Sequence, residues 1–160
     1  MPEPMHANVA RVVAAAAEAG LEIEVRRFPE ETRTAADAAR AVGCDVGQIV
    51  KSLVFMADGA PVLALVSGEH QLDPARLASA LGASEVRRAT GDEARRATGY
   101  AIGGVPPLGH ASHLPVLVDR QLLRHPVVWA AAGLPDAVFP ADPAALVKAS
   151  GARDADLAAG

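Results

Sequence analysis

The sequence predicts an α+β domain in which a curved mixed or antiparallel sheet, or a partial barrel, carries helices on its outer side. Three observations predict this class. The 160 residues suffice for one hydrophobic core and are few for two. Apolar residues make up 51% of the chain and aromatic residues only 3%, so Ala, Val and Leu must fill the core. Helix and strand patterns mix without the regular alternation of a doubly wound sheet, and at least two strand pairs carry antiparallel signals.

The first third of the chain predicts helix, strand and helix. Valines and alanines recur at helical spacing in residues 6–19, and Gly20 provides a stop. Apolar and charged residues alternate in 21–28, which predicts a half-buried strand. Thr34 and the acidic residue three positions later resemble a capping box, so we expect a short helix that ends at Gly43.

The strongest strand signal lies in the middle of the chain. The segments IVKSLVFM (49–56) and PVLALVS (61–67) are both apolar and rich in β-branched residues, and only ADGA separates them. An Asp-Gly pair between two such runs is a typical hairpin turn. The sequence therefore predicts a β-hairpin here.

Beyond the hairpin, Pro and Gly residues mark the ends of the remaining elements. Helices are predicted from Asp73-Pro74 to about Leu81, over residues 92–97, and from Asp142-Pro143 to about Ser150. Strands are predicted over residues 84–89, 114–119, 126–132 and 137–140. No repeat or linker divides the chain, so we expect one domain over residues 1–160, with its core in about 34–150 and a frayed tail in 152–160.

Composition excludes several classes of function. The formal net charge of -4 argues against a protein that coats nucleic acid, and no helix-turn-helix pair with a basic second helix predicts DNA binding. A single cysteine excludes an internal disulfide and a Cys-based zinc site. No apolar run is long enough to span a bilayer. We therefore expect a cytoplasmic protein with neither membrane nor DNA as a partner.

One group of basic residues interrupts this acidic composition: Arg87, Arg88, Arg95 and Arg96. Acidic residues lie between them, so an ordinary solvated surface is the favoured interpretation. A local basic face remains the alternative.

Lys51 is the first candidate for chemistry. The period of two places it on one face with Ile49, Leu53 and Phe55, inside a strand that is apolar on both faces. A buried ammonium is costly without a polar partner, so it either reaches a ligand or extends to solvent. The sequence alone favours the second explanation, because truly buried lysines are rare.

The segment TGYAIGGVPPLGH (98–110) is the second candidate, with four glycines and two consecutive prolines. Glycines let a ligand approach backbone N–H groups closely, and prolines fix where those groups point. Such a loop can bind a carbonyl oxygen, an oxyanion or a phosphate. A rigid surface turn is an equally good explanation, and no Gly-Lys-Ser/Thr ending marks a phosphate-binding P-loop.

Other arrangements predict little. His110 and His113 form an H-x-x-H pair in a loop without a third ligand, so we expect no metal and no cofactor. Cys44 is expected to pack as a small apolar residue. The sequence contains no Gly-x-Ser-x-Gly motif of a serine hydrolase.

The two candidate motifs together resemble a known family. I-V-K-S-L-V-F, followed about fifty residues later by T-G-Y-x-x-G-G-V-P-P-L-G, is similar to the YbaK/ProX family. Its members are freestanding aminoacyl-tRNA deacylases related to the editing domain inserted in bacterial prolyl-tRNA synthetases. The resemblance covers about Thr34 to Ser150.

The resemblance implies roles for individual residues. It makes Lys51 the lysine that positions the ester, and Gly103 and Gly104 the backbone donors to that ester. It implies that Pro107 fixes the loop and that Tyr100 lies at the pocket wall. Ser52 takes the place of a small polar residue that follows the lysine in relatives.

The resemblance also implies a reaction and its partners. A trans-acting deacylase would hydrolyse mischarged tRNA, expected to be tRNA(Pro) carrying a small amino acid such as alanine or cysteine, with prolyl-tRNA synthetase as a candidate partner. Relatives carry a polar residue after an Ala-Gly turn that helps to select the amino acid, and Asp136 is the match here. The alternative from another class is a non-catalytic module that binds a nucleotide or an aminoacyl group in regulation.

Overall fold

The computed structural model describes residues 6–28 and 34–159, which form five α-helices and eight strands. The helices are α1 (Ala7–Glu18), α2 (Ala35–Val42), α3 (Pro74–Leu81), α4 (Gly91–Thr98) and α5 (Pro143–Ser150), with 3-10 turns at Val46–Gln48 and Arg120–Arg124. The strands are β1 (Arg26–Arg27), β2 (Val50–Ala57), β3 (Ala60–Ser67), β4 (Val86–Arg88), β5 (Val116–Asp119), β6 (Val128–Ala131), β7 (Ala137–Ala141) and β8 (Arg153–Ala155). None of these helices has the length and apolar character needed to cross a membrane.

The strands form two open sheets. The larger sheet has the order β4-β2-β3-β5-β8, in which β2 is antiparallel to both neighbours while β5 is parallel to β3 and to β8. The smaller sheet, β1-β7-β6, is antiparallel throughout. A parallel bridge between Ile49, the residue before β2, and Trp129 in β6 links the two sheets. The predicted α+β class with a mixed sheet is confirmed, and the sheets do not close into a barrel.

The predicted hairpin is confirmed, and the structure gives its register. β2 and β3 pair from Val50 opposite Ser67 to Ala57 opposite Ala60. Asp58 and Gly59 both have positive φ, at 49° and 83°, as the two-residue turns that match strand twist require.

Local sequence signals place the helices correctly. The Thr34 hydroxyl accepts a hydrogen bond of 3.1 Å from the Asp37 N–H, and α2 ends at Gly43 in the left-handed region. The last helix likewise ends at Gly151, with φ 70°. The observed helices therefore begin and end close to where caps and glycines predict them.

Two predictions at the chain's ends need correction. Only Arg26–Arg27 of the predicted strand 21–28 pairs with a neighbour, β7. The alternation nevertheless predicts burial correctly, because Leu21, Ile23 and Val25 pack against the core. An alternating pattern predicts that one side of the segment is buried, but it does not predict whether the backbone pairs with another strand.

The predicted frayed tail is wrong. Residues Arg153–Ala155 form β8, and Leu157 beyond it is fully buried. The Asp119 carboxylate, with no exposed surface, accepts hydrogen bonds from the N–H groups of Leu157 (2.8 Å) and Ala158 (3.2 Å). Its other oxygen accepts one from Gln121, at 3.2 Å. A buried carboxylate thus holds the C-terminal segment in place.

Candidate active site

A cleft of about 350 Å³ opens where the two sheets diverge. Its lining residues come from α2, the first half of β2, the end of β4, the Gly/Pro loop and the smaller sheet: Thr34, Ala35, Ala38, Ile49–Leu53, Arg88, Ile102, Gly103, Val105, Trp129, Ala131, Pro135 and Val138. The edge of β2 contacts β6 near residue 49 and pairs with β4 from residue 55 onward. On this edge, opposite the one that pairs with β3, the stretch between these contacts has no strand of the described residues beside it and forms the back of the cleft.

Lys51 lies in this cleft and is partly buried. Its ammonium donates a hydrogen bond to the backbone carbonyl of His70, in the turn that follows β3. Burial lowers the pKa of Lys51 from its usual value, and the positive charge of Arg88 lowers this pKa further. The lysine is therefore not a residue that extends freely to solvent: its charge is held inside the cleft, beside a second cation.

Ser52 lies next to Lys51 and also lines the cleft. Consecutive strand residues point to opposite faces, so the cleft wraps around the free edge of β2. The Ser52 hydroxyl oxygen is buried, and no group in residues 6–28 or 34–159 forms a hydrogen bond with it. A buried hydroxyl without a partner is costly, and a bound ligand would remove that cost.

The Gly/Pro loop begins with a tight turn over residues 101–104. The Gly104 N–H donates to the Ala101 carbonyl at 3.0 Å, and Gly103 has φ 94°, which the third position of a type II turn requires. Gly103 is exposed and lines the cleft, and in the described part of the chain its N–H has no hydrogen-bond partner. It fits the predicted role of a backbone donor to a ligand.

Gly104 does not fit the same prediction. Its N–H is already used within the turn, the residue is buried, and it does not line the cleft. A Cβ at this position would lie 3.0 Å from the Cα and N atoms of Leu134. Gly104 is a glycine because two backbone segments meet there, so its role is structural.

Tyr100 and Pro107 support the loop from within the core. The Tyr100 side chain is 1% exposed, its hydroxyl donates to the Gly109 carbonyl at 3.1 Å, and the Arg11 guanidinium stacks over its ring at 5.0 Å. Neither Tyr100 nor Pro107 lines the cleft, and Pro107 is buried. The predicted place of Tyr100 at the pocket wall is wrong, whereas Pro107 lies where it can stiffen the loop.

Asp136 also lies outside the cleft. Its carboxylate pairs with Arg27 at 3.1 Å, and its carbonyl accepts a hydrogen bond from the Phe28 N–H at 2.9 Å. These contacts join β1 to the start of β7. The residue that faces the cleft in this segment is its neighbour, Pro135.

His110, one of the two histidines of the H-x-x-H pair, uses its Nε2 atom within the loop. His110 Nε2 lies 2.7 Å from the Pro106 carbonyl, which can only accept, so this nitrogen carries the proton. Burial lowers the pKa of His110 and favours its neutral form. Over the described ranges, no three His, Cys, Asp or Glu residues lie close enough to hold a metal ion.

Sequence reasoning missed most of the cleft wall. Arg88, Ile102 and Trp129 line the cleft, and no motif predicted that these three residues reach it. Trp129 is the only tryptophan of the chain and lies at the bridge between the sheets. A single tryptophan in a chain with few aromatic residues is a sequence signal that points to this position. Ile102 is an exposed large hydrophobic residue, at 54%, directly before Gly103.

The chain is similar to known proteins over most of its length. The family profile of the aminoacyl-tRNA editing domain matches residues 29–149. A solved structure described as a candidate trans-editing enzyme for prolyl-tRNA synthetase superposes with a TM-score of 0.93 at 46% identity, covering 98% of this chain and 100% of that one.

Curated relatives are larger proteins. Proline--tRNA ligase of Citrifermentans bemidjiense is 37% identical over 86 residues, which are 54% of this chain and 15% of the ligase. The ligase of Acidithiobacillus ferrooxidans is 34% identical over 91 residues, 57% of this chain and 16% of the ligase. The chain thus matches only a small part of these ligases. With a family profile that covers about three quarters of its residues, this chain belongs to the aminoacyl-tRNA editing domain family.

Proposed function

We propose that this domain is a trans-acting aminoacyl-tRNA deacylase, which hydrolyses the ester of mischarged tRNA(Pro) carrying a small amino acid. The observation that carries the proposal is the cleft itself. Among residues 6–28 and 34–159, it brings the Lys51 ammonium, the unpartnered Ser52 hydroxyl and the free Gly103 N–H to one apolar site whose described lining residues include no carboxylate. Membership in the aminoacyl-tRNA editing domain family indicates the class of substrate that these donors would bind, an aminoacyl-tRNA.

The donors suit the hydrolysis of an activated ester. Addition of water to the ester carbonyl places negative charge on the carbonyl oxygen, and the bond to the ribose oxygen then breaks as a proton moves to that oxygen. Fixed donors in a dry site stabilise this charge, and each is worth about 10²-fold in rate. Lys51 supplies a positive charge and Gly103 an N–H, while a substrate hydroxyl or the water itself serves as the proton carrier.

The walls of the cleft favour a small amino acid. Ala35, Ala38 and Ala131 line it together with larger apolar residues. An apolar pocket discriminates by about 1–3 kcal/mol per methylene, so alanine, serine and cysteine esters should all be accepted to some degree. The similarity to prolyl-tRNA ligases and to the trans-editing candidate supports tRNA(Pro) as the carrier, and prolyl-tRNA synthetase as a partner in the cytoplasm.

A non-catalytic module that binds an aminoacyl or nucleotide group would use the same cleft. A cation and a buried hydroxyl without a partner in the described residues line one cleft, and this favours catalysis, because binding alone does not need groups kept at such a cost. Multiple-turnover hydrolysis of the ester distinguishes the deacylase from the binding module.

The test is a deacylation panel of mischarged tRNAs. Wild-type protein should release alanine from tRNA(Pro) with multiple turnovers, and Lys51→Ala should lower kcat/KM by about 10²-fold. The matched control is Lys148→Ala, which removes the other lysine of the chain from the exposed face of α5 and should leave the rate unchanged. Binding of the tRNA without turnover would support the regulatory module, and full activity of Lys51→Ala would remove the lysine from the mechanism.

A further inference from the structure

Arg88 is a second cation in the cleft. It lies opposite Phe55 in the β2–β4 pairing, and directly opposite residues of antiparallel strands share a face. Lys51 and Phe55 are four residues apart on β2, so they also share that face. The register therefore places both cations on one side of the β2 edge, and both line the cleft.

The Arg88 guanidinium is held in place but not neutralised. It stacks over the Phe55 ring at 5.6 Å, and the side chain is exposed at the mouth of the cleft. No carboxylate in residues 6–28 and 34–159 forms an ion pair with it. Its neighbour Arg87 shows the contrast, because both of its terminal nitrogens bind the Glu93 carboxylate at 2.7 Å.

The lining residues that the structure describes thus carry two positive charges, in a protein whose net charge is -4. A positive site of this kind selects an anion. In an aminoacyl-tRNA the amino group is a cation in its ammonium form, and the ester, the ribose and the base are neutral. The only anion near the ester is the phosphodiester on the 5′ side of the terminal nucleoside.

We propose that Arg88 binds this 5′ phosphate of the terminal, aminoacylated nucleoside. The inference rests on the proposed function and adds to it the residue that positions the RNA end. An exposed cation at the mouth suits a phosphate that stays in water, whereas the partly buried Lys51 lies deeper, where the ester would enter. A guanidinium offers two parallel N–H groups to phosphate oxygens, and the Phe55 ring limits the freedom that binding would otherwise remove.

The experiment compares two small substrates that differ only in this phosphate: the 3′-alanyl ester of adenosine and that of adenosine 5′-phosphate. Wild-type protein should have a kcat/KM at least about tenfold higher for the phosphorylated ester, as a charge-assisted hydrogen bond implies. Arg88→Gln keeps the side-chain stem over Phe55 and should abolish this preference, because kcat/KM falls on the phosphorylated ester far more than on alanyl-adenosine. With mischarged tRNA the same variant should reduce the salt slope by about 0.7–0.9.

Arg87→Gln is the matched control, since it changes the adjacent arginine outside the cleft and should keep the phosphate preference. An equal loss on both substrates by Arg88→Gln would overturn the proposal, and so would an unchanged preference. If wild-type protein hydrolyses neither ester nor the tRNA, the proposed deacylase function fails and the role of Arg88 fails with it. Thermal melting of each variant distinguishes these outcomes from unfolding.

Discussion

Two regions of this molecule bury polar side chains in opposite ways. At the end of β5, the Asp119 carboxylate receives three backbone N–H groups and is fully enclosed. At the edge of β2, the Ser52 hydroxyl is buried without a partner in the described part of the chain, and it follows a lysine whose pKa is lowered by burial. The three N–H groups around Asp119 all form hydrogen bonds within the protein, whereas the Ser52 hydroxyl at the β2 edge forms none with the described residues.

The difference indicates which burial serves the fold and which serves a ligand. A buried polar group with a complete set of partners stabilises the chain around it, and losing it leaves those partners unsatisfied. A buried polar group without partners costs stability, and it persists where binding or catalysis needs it. The comparison predicts that substitutions in the two regions have opposite effects on stability and activity.

The largest expected effect is on stability. Asp119→Ala leaves the N–H groups of Gln121, Leu157 and Ala158 without their acceptor and should lower the free energy of unfolding by about 3 kcal/mol. Denaturant unfolding measures this loss, and deacylation per folded molecule should stay near wild type. A loss below about 1 kcal/mol, or folded protein without activity, would contradict the structural role.

Substitutions of two serines test the same comparison, with smaller expected changes in stability. Ser52→Ala removes a buried hydroxyl that has no partner in the described residues, so stability should stay level or rise while kcat/KM falls by about tenfold. Ser67→Ala is the matched control, because the Ser67 hydroxyl donates to the Gly47 carbonyl at 2.7 Å and is fully buried. That variant should instead lose about 1–2 kcal/mol of stability. Equal changes in stability and in kcat/KM for the two variants would contradict the distinction between burial for the fold and burial for a ligand.

The smallest effect concerns the pH dependence of stability. The pKa of Lys51 is lower in the folded protein than in the unfolded chain, so the unfolded chain binds more protons in the interval between the two values. Wild-type stability therefore rises with pH through that interval, and the cost of the charge is present in full below it. Lys51→Met should be as stable as wild type or more so at neutral pH, by at most about 1 kcal/mol. The stability difference between Lys51→Met and wild type, measured by denaturant unfolding, should shrink as the pH rises toward 10. A difference that grows with pH would contradict a lowered pKa of Lys51 in the folded protein.

The elements of the fold were predictable because their signals are local. The Thr34 cap, the Asp58-Gly59 turn and the glycines that end the helices each act within a few residues. The C-terminal segment was not predictable, since its order depends on Asp119, more than thirty residues away in sequence. An acidic residue at a strand end has no pattern that reveals which backbone it will bind.

The candidate site was predictable in part for the same reason. Lys51 and Gly103 follow from motifs within single segments, and the structure brings both to the cleft. The use of the Gly104 N–H depends on the turn geometry, and the position of Arg88 depends on the register of β4 against β2. Resemblance placed Tyr100 and Asp136 in the pocket, but a hydrogen bond to Gly109 and an ion pair with Arg27 hold their side chains elsewhere.

The close approach of Gly104 to Leu134 has a consequence for redesign of the cleft. Because their backbones touch, the turn that carries Gly103 and the segment that carries Pro135 form a single rigid wall, in which a Cβ on Gly103 would lie 3.8 Å from Pro135. A change on either side would be transmitted to the other, so this wall is a poor place to engineer a new amino-acid preference. Ala35 and Ala38 line the cleft from a separate helix, and an engineered change in side-chain volume belongs there.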